Sequence, residues 1–294
     1  MNLKLLGSDI SIISIILKGL GQIMLQENAL CGFLFLAGIF YGSVTMGIAA
    51  LLAVVCGTAT AMLLKYDESE INKGLYGFSA ALVGVGVIVF FKPLFICWIL
   101  IVIGAIAATL LQHFFIKRNV TAFTFPFVLV IWIMLYFISK YLANIQAETA
   151  LSAINTTDHF AFAFNGYGQV IFQGNFVSGL IFFVAVFISS PIAALYGLAG
   201  ALLASIVSAY FSVPTENIYL GLFGYNAVLC AIVFAGDHIK DGIWVITSVI
   251  LSIAISLFMY HNNMIQLTFP FVLASWITLF IKSKLDFVTL GKNK

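Results

Sequence analysis

Four neutral polar side chains stand in stretches that are otherwise apolar: Gln22, Gln169, Thr124 and Thr268. They come in pairs. Thr124 opens the string Thr-Phe-Pro-Phe-Val-Leu, which recurs from Thr268 at an offset of 144, and Trp132 and Trp276 follow the two copies at the same spacing. Gln22 opens Gln-x3-Gln-x-Asn-x3-Gly32, which recurs from Gln169 to Gly179 at an offset of 147. None of the four is a strong nucleophile, an acid or a metal ligand. What amides and hydroxyls can do in apolar surroundings is exchange hydrogen bonds with a neutral polar solute. A threonine and a helix-disturbing proline are costly in hydrocarbon-length sequence, because each adds or frees a polar group with no water nearby. The chain accepts that cost twice, at matching places.

A third landmark lies between the other two. Leu75-Tyr-Gly-Phe-Ser-Ala-Ala-Leu82 recurs as Leu222-Phe-Gly-Tyr-Asn-Ala-Val-Leu229, again at 147. Phe78 with Leu82, and Tyr225 with Leu229, have the i, i+4 spacing that puts each pair on one helix face. Taken singly, such residues have blander roles. Threonine in a membrane helix often bonds its own backbone, and aromatic stripes usually pack against neighbours or lipid. The matched duplication of all of them favours two sets of polar and aromatic residues converging on one midplane.

Other chemistry finds little support. His113, His159, His238 and His261 fall at segment ends or in loops, with no carboxylate or cysteine at ligand spacing. Cys31, Cys56, Cys97 and Cys230 lie in apolar runs without metal-type spacing and read as small packing residues. There is no glycine-rich phosphate loop, so neither an enzyme nor a cofactor is expected. Asp9, Asp67, Glu68, Glu70, Glu148, Asp158, Glu216, Asp237, Asp241 and Asp286 all map to termini or loops. Glu27 alone comes near membrane depth. Ion-coupled carriers keep ionisable groups inside the bundle, where a charge is expensive, so their scarcity argues for passive passage of a neutral solute.

The elements that position these residues follow from composition. Of 294 residues, 63% are hydrophobic and 8% charged, and the mean hydropathy is +1.14. A soluble domain carries about 25% charged residues, so the chain is expected to be an all-α integral membrane protein. The net charge of +2 gives no reason to expect a nucleic-acid partner. The first residues do not have the pattern of a cleaved signal.

The first half, residues 1–146, offers spans near 28–41, 43–64, 74–91, 93–113 and 122–142. Before them, residues 8–21 are too short to cross a hydrocarbon layer that needs about 20 residues, and read as a re-entrant half-helix. The second half, 147–294, repeats the set with a glycine-rich lead-in at 165–169 and spans near 176–188, 190–211, 219–234, 239–260 and 267–281. Five spans per half is odd, so the second half enters the membrane upside down, as an inverted repeat with ten spans in all. With cytoplasmic termini, eleven of the thirteen basic residues fall inside and only Lys92 and Lys140 outside, in line with the positive-inside rule.

Together the Gln-x5-Asn-x3-Gly and Leu-x-Gly-[Phe/Tyr]-[Ser/Asn] patterns, the Thr-x-Pro-Phe box and the Ile188-Ser-Ser-Pro191 turn resemble the urea transporter family, over essentially the whole chain. The resemblance implies two inverted halves of five spans plus a re-entrant helix each, around a narrow channel that conducts urea down its gradient. A multi-pass protein of the cell inner (plasma) membrane, surrounded by lipid, is expected, and the resemblance implies a homo-oligomer, by family precedent a trimer. Carried over by position, Gln22 and Gln169 would meet urea at two sites. Phe78, Leu82, Tyr225 and Leu229 would wall the slot, and Thr124 and Thr268 would form the constriction. Val170, next to Gln169, is counted in the same lining. Leu25 stands where the first repeat of the family usually has a slot phenylalanine, which Phe172 keeps in the second. Tyr225 replaces another phenylalanine and is expected to add a hydroxyl to the wall.

Urea is flat, neutral and rich in N–H donors. Stripping a comparable amide of water costs roughly 2–7 kcal/mol unless bonds are returned, and a ladder of carbonyls, amides and hydroxyls could return them without holding the solute. The alternatives are an ion-coupled transporter, or a channel for another small neutral solute such as a short amide or ammonia. Inverted repeats with midplane sites suit those as well.

Overall fold

The computed structural model describes residues 11–147 and 161–292. Asp9, Glu148, Asp158 and His159 lie outside them. In the first half come α1 (Ile12–Gly21), α2 (Ala29–Gly42), α3 (Val44–Leu63), α4 (Glu68–Asn72), α5 (Phe78–Phe90), α6 (Phe95–Ile116) and α7 (Phe125–Tyr141). In the second come α8 (Ala161–Gln169), α9 (Phe176–Ser189), α10 (Pro191–Tyr210), α11 (Thr215–Tyr219), α12 (Tyr225–Phe234), α13 (Ile239–His261) and α14 (Phe269–Lys292). Apart from two 3-10 turns and one antiparallel bridge between Phe91 and Gln146, the described regular structure is α-helical.

The element order repeats closely. Helices α2, α3 and α4 recur residue for residue as α9, α10 and α11 at the offset of 147, and α7 and α14 begin 144 apart. Backbone detail repeats as well. The described residues with positive φ form five pairs at these offsets: Leu25/Phe172, Lys65/Ser212, Gly74/Gly221, Asn119/Asn263 and Phe123/Leu267. Non-glycine residues rarely hold this left-handed region, so its recurrence at equivalent places reflects one backbone path used twice.

Helices α3, α6, α10 and α13 are long and apolar enough to cross a membrane. Helix α1 with its 3-10 turn forms a fifth apolar unit with α2, bent by 75° at the break. Helices α5, α7, α9 and α12 are apolar but shorter. The outer surface carries exposed Ile13, Phe33, Phe95, Ile103, Tyr210 and Ile239. So many exposed large apolar side chains would drive association in water but are ordinary against lipid. The protein is a multi-pass membrane protein.

Three differences from the expected spans have local causes. Helix α5 starts at Phe78 rather than near 74, because residues 73–77 form turns around Gly74, whose φ of 77° favours glycine. The short helices α4 and α11 were not anticipated; Asp67 caps α4 by accepting from Ser69 N and Glu70 N. Helix α14 runs on to Lys292, beyond the apolar stretch that ends near 281.

The repeated Gln-x3-Gln-x-Asn-x3-Gly motif builds the bend before α2 and α9. Gln26 Nε2 donates to Met24 O at 2.8 Å, and Gln173 Nε2 to Ile171 O at 3.1 Å, tying each turn to itself. Asn28 Oδ1 accepts from Leu30 N and Cys31 N, and Asn175 Oδ1 from Ser178 N, capping the helices that follow. At Gly32 and Gly179 the returning helix touches the preceding one. A Cβ there would lie 1.7 Å from Leu17 O and 2.0 Å from Phe164 O respectively.

The two halves meet through α2 and α9. Phe35 and Phe182, equivalent positions, stack edge to face with centroids 5.2 Å apart. Ser178 Oγ donates to Gly38 O across the same seam at 2.8 Å. Gly32→Ala and Gly179→Ala are each expected to destabilise the fold by about 1–3 kcal/mol, since backbone must move to admit the methyl group. A lower thermal midpoint in detergent checks this; an unchanged midpoint in both would mean the close approach is not needed.

Candidate functional site

Two vestibules of similar size open into the protein, each lined mainly by one half of the chain. The first, about 370 Å³, is bordered by Gln22, Leu25, Phe78, Gln112, Phe123 and Thr124, among others. The second, about 350 Å³, is bordered by Gln169, Phe172, Tyr225, Tyr260, Gln266 and Leu267, among others. Gln22, Leu25 and Phe78 correspond by the repeat to Gln169, Phe172 and Tyr225. Among the described residues, neither vestibule is lined by Asp, Glu, Lys, Arg or His.

A buried polar contact lies next to residues that border the two vestibules. Thr124 and Thr268 are both 3% exposed, and their hydroxyl oxygens lie 2.6 Å apart. Thr124 borders the first vestibule, and Thr268 follows Leu267, which borders the second. Thr124 starts α7 without its hydroxyl capping the helix. The hydroxyls therefore bond each other across the repeat rather than their own backbones. Pro126 sits in the first turn of α7, where a missing N–H costs nothing.

Reciprocal contacts hold this junction. Trp132 Nε1 donates to Ile265 O at 3.0 Å, and Trp276 Nε1 to Thr121 O at 2.8 Å. The rings of Trp132 and Trp276 lean on Phe269 and Phe125, with centroids 5.1 and 5.3 Å away. Each tryptophan that follows a Thr-x-Pro-Phe string thus clamps the approach to the other string.

Four strained residues face the vestibules. Leu25 and Phe172 have φ near 59° and 57°, and Phe123 and Leu267 near 48° and 46°. Such conformations cost of order 1–3 kcal/mol each and persist where surrounding structure fixes them. Leu25 ends the 3-10 turn after α1, Phe172 ends the equivalent turn after α8, and Phe123 and Leu267 each precede a threonine. Leu25 and Phe172 were expected in the lining. Phe123 and Leu267 were missed, because the two copies differ in residue type and only the backbone repeats.

The other expected residues divide. Leu82 and Leu229 are fully buried on α5 and α12, and Val170 is buried as well; they border neither vestibule. The Tyr225 hydroxyl is not a free group on the wall, as was expected. It donates to Leu267 O at 2.6 Å, and Asn226 Nδ2 adds a second bond to the same carbonyl at 3.3 Å. Gln22 Nε2 donates to Lys73 O at 3.0 Å, which leaves its Oε1 without a protein donor among the described residues. Glu27 pairs with Lys18 at 3.1 Å.

One association went unseen in the sequence. His113 and Glu70 share the Tyr76 hydroxyl, which donates to Glu70 and lies 3.1 Å from His113 Nδ1. The Tyr66 ring stacks on His113 at 3.6 Å. The separations of these residues along the chain gave no sign of the cluster.

The family described as urea transporter matches residues 13–283. Among similar proteins, urea transporter 1 of Rattus norvegicus is 30% identical over 241 residues, covering 75% of this chain and 62% of that protein. Urea transporter 1 of Capra hircus is 27% identical over 294 residues, covering 92% of this chain and 77% of that protein. The chain thus spans less than two thirds of the length of the rat relative.

Removing one threonine hydroxyl leaves the other buried without a partner, which costs about 1–3 kcal/mol, whereas removing both costs far less. Thr124→Val and Thr268→Val are each expected to lower stability, with the double variant more stable than the sum implies. A double-mutant cycle on unfolding in detergent measures the coupling; additive effects would mean that the hydroxyls do not bond.

Proposed function

The chain belongs to the urea transporter family, and from that premise we propose that it conducts urea passively across the cytoplasmic membrane through the two vestibules and the threonine pair between them. The observation that carries this reading is the buried contact of Thr124 with Thr268, reached from either side through an aromatic- and amide-lined vestibule. Urea entering the first vestibule exchanges water for the Oε1 of Gln22 and for nearby backbone carbonyls, and Gln169 serves the second side. Phe78, Leu25, Phe172 and Tyr225 pack against its flat faces and leave little room for a hydration shell. At the junction each hydroxyl can turn from its partner toward urea, accepting an N–H bond or donating to the carbonyl. The solute is passed between partners of similar strength, so no single site traps it.

The same reading sets the topology. Residues 1–146 and 147–294 form two inverted repeats, α1 and α8 act as re-entrant half-helices, and the chain crosses the membrane ten times with both termini cytoplasmic. The shorter helices α5, α7, α9 and α12 then serve as spans tilted or extended by their flanking turns. Passive conduction is supported by vestibules that, among the described residues, carry no carboxylate, amine or imidazole group, since a coupled carrier needs a group that changes charge or binds an ion. The lipid-facing exterior is compatible with a homo-oligomer in which every protomer keeps its own path.

Urea flux in proteoliposomes tests the reading. Wild-type protein is expected to equilibrate labelled urea without a proton or sodium gradient and never to accumulate it. Thr124→Val or Thr268→Val keeps side-chain volume but removes a hydrogen bond worth about 1–3 kcal/mol. On the rate-limiting barrier that slows flux by roughly five- to 150-fold, while Thr→Ser at either position stays near wild type. Gradient-driven accumulation, or wild-type rates in both valine variants, would overturn the passive path through the threonines.

A further inference from the structure

The repeat makes departures from it informative, and two of them sit in the vestibule walls. Gln112, on the last turns of α6, borders the first vestibule while only 6% exposed. Its Oε1 is sealed from solvent and has no hydrogen-bond partner. Gln266 borders the second vestibule, and its Oε1 is likewise buried without a partner. A buried amide oxygen with unmet hydrogen-bonding capacity is unfavourable in an apolar interior; sealed as it stands, it meets a solute in the vestibule only when the terminal amide turns toward the cavity.

Neither glutamine is duplicated. At the equivalent offset Gln112 becomes Ser256, which does not border the second vestibule, and Gln266 becomes Ala122 on the wall of the first. Each vestibule therefore has a glutamine that the other lacks, supplied by a different element. Both are held in place. The His113 ring beside Gln112 is stacked on Tyr66 and bonded to the Tyr76 hydroxyl, which fixes the end of α6. This clamp too is missing from the second half, where Val213, Phe223 and Leu257 stand at the positions of Tyr66, Tyr76 and His113. Gln266 is fixed by Trp132 Nε1 on the adjacent Ile265 carbonyl and by Phe269 N on its own carbonyl.

We propose that Gln112 and Gln266 are urea-docking residues, one for each vestibule, that bind the solute ahead of the threonine junction and make the two mouths chemically unequal. The inference rests on the urea reading above. A primary carboxamide and urea each present an N–H beside a C=O in one plane, so they pair through two reciprocal hydrogen bonds. Rotation of the terminal amide by half a turn exchanges its donor and acceptor ends. Either orientation therefore finds a complement on urea, and the incoming solute satisfies the glutamine at the moment it loses its own water.

The repeat supplies the test substitutions. Gln112→Ser and Gln266→Ala install the residues that the fold already holds at the equivalent places. Urea flux in proteoliposomes is measured against urea concentration for wild type, each variant and Gln112→Glu, which keeps an acceptor. Docking predicts that Gln112→Ser and Gln266→Ala raise the half-saturating urea concentration about five-fold or more. Gln112→Glu should fall between wild type and Gln112→Ser. A merely structural role lowers the number of working channels, and so the maximal flux, at unchanged half-saturation. That result, or wild-type behaviour in both variants, overturns docking but leaves urea conduction standing. Wild-type vesicles no faster than protein-free ones would overturn both.

Discussion

A hydroxyl buried in an apolar interior must bond something, and here Thr124 and Thr268 satisfy each other. Much of the architecture follows from bringing those two residues together. They lie 144 positions apart in equivalent elements, so each repeat brings the same residue to the contact. The Phe35–Phe182 contact obeys the same relation, as do the two exchanged tryptophan bonds. A bond of this kind can open, because water, urea or a partner hydroxyl offers nearly the same energy. Apolar packing at the same place would be a plug.

The repeat that builds the junction also builds its approaches. Each Gln-x3-Gln-x-Asn-x3-Gly motif assigns one residue to the vestibule, one to the turn, one to the cap and one to the helix contact. The glutamine of the turn, Gln26 or Gln173, is buried and used up locally. The glutamine at the vestibule keeps spare capacity. Two residues of one type, four apart, thus have opposite roles, set by whether a backbone carbonyl is within reach.

The helical membrane fold and the duplicated landmarks were legible in the sequence, because hydrocarbon-length apolar runs and exact repeats of rare polar residues leave a mark in one dimension. Gln22, Gln169, Leu25, Phe172, Phe78 and Thr124 do border the vestibules. Leu82 and Leu229 do not, since a helix face shared with Phe78 or Tyr225 says nothing of depth within the bundle, and Val170 is buried in the turn after α8. The Tyr225 hydroxyl was read as part of the wall, but the Leu267 carbonyl that takes it lies 42 residues away. Phe123, Leu267, Gln112 and Gln266 escaped because duplication was the signal, and at these places the residues do not match. The short helices α4 and α11 depend on a cap and a turn rather than on periodicity, so no apolar pattern announced them.

If the threonine pair is the passage between the vestibules, a covalent bond across it must close the path. The direct measurement is urea flux through a Thr124→Cys/Thr268→Cys protein in which Cys31, Cys56, Cys97 and Cys230 have been replaced. The native hydroxyls lie 2.6 Å apart, and a disulfide of about 2.05 Å fits that approach. With the disulfide verified by mass spectrometry, oxidised protein should conduct no urea above the level of empty vesicles, and reduction should restore conduction. Undiminished flux through fully cross-linked protein would place the path elsewhere and contradict the account.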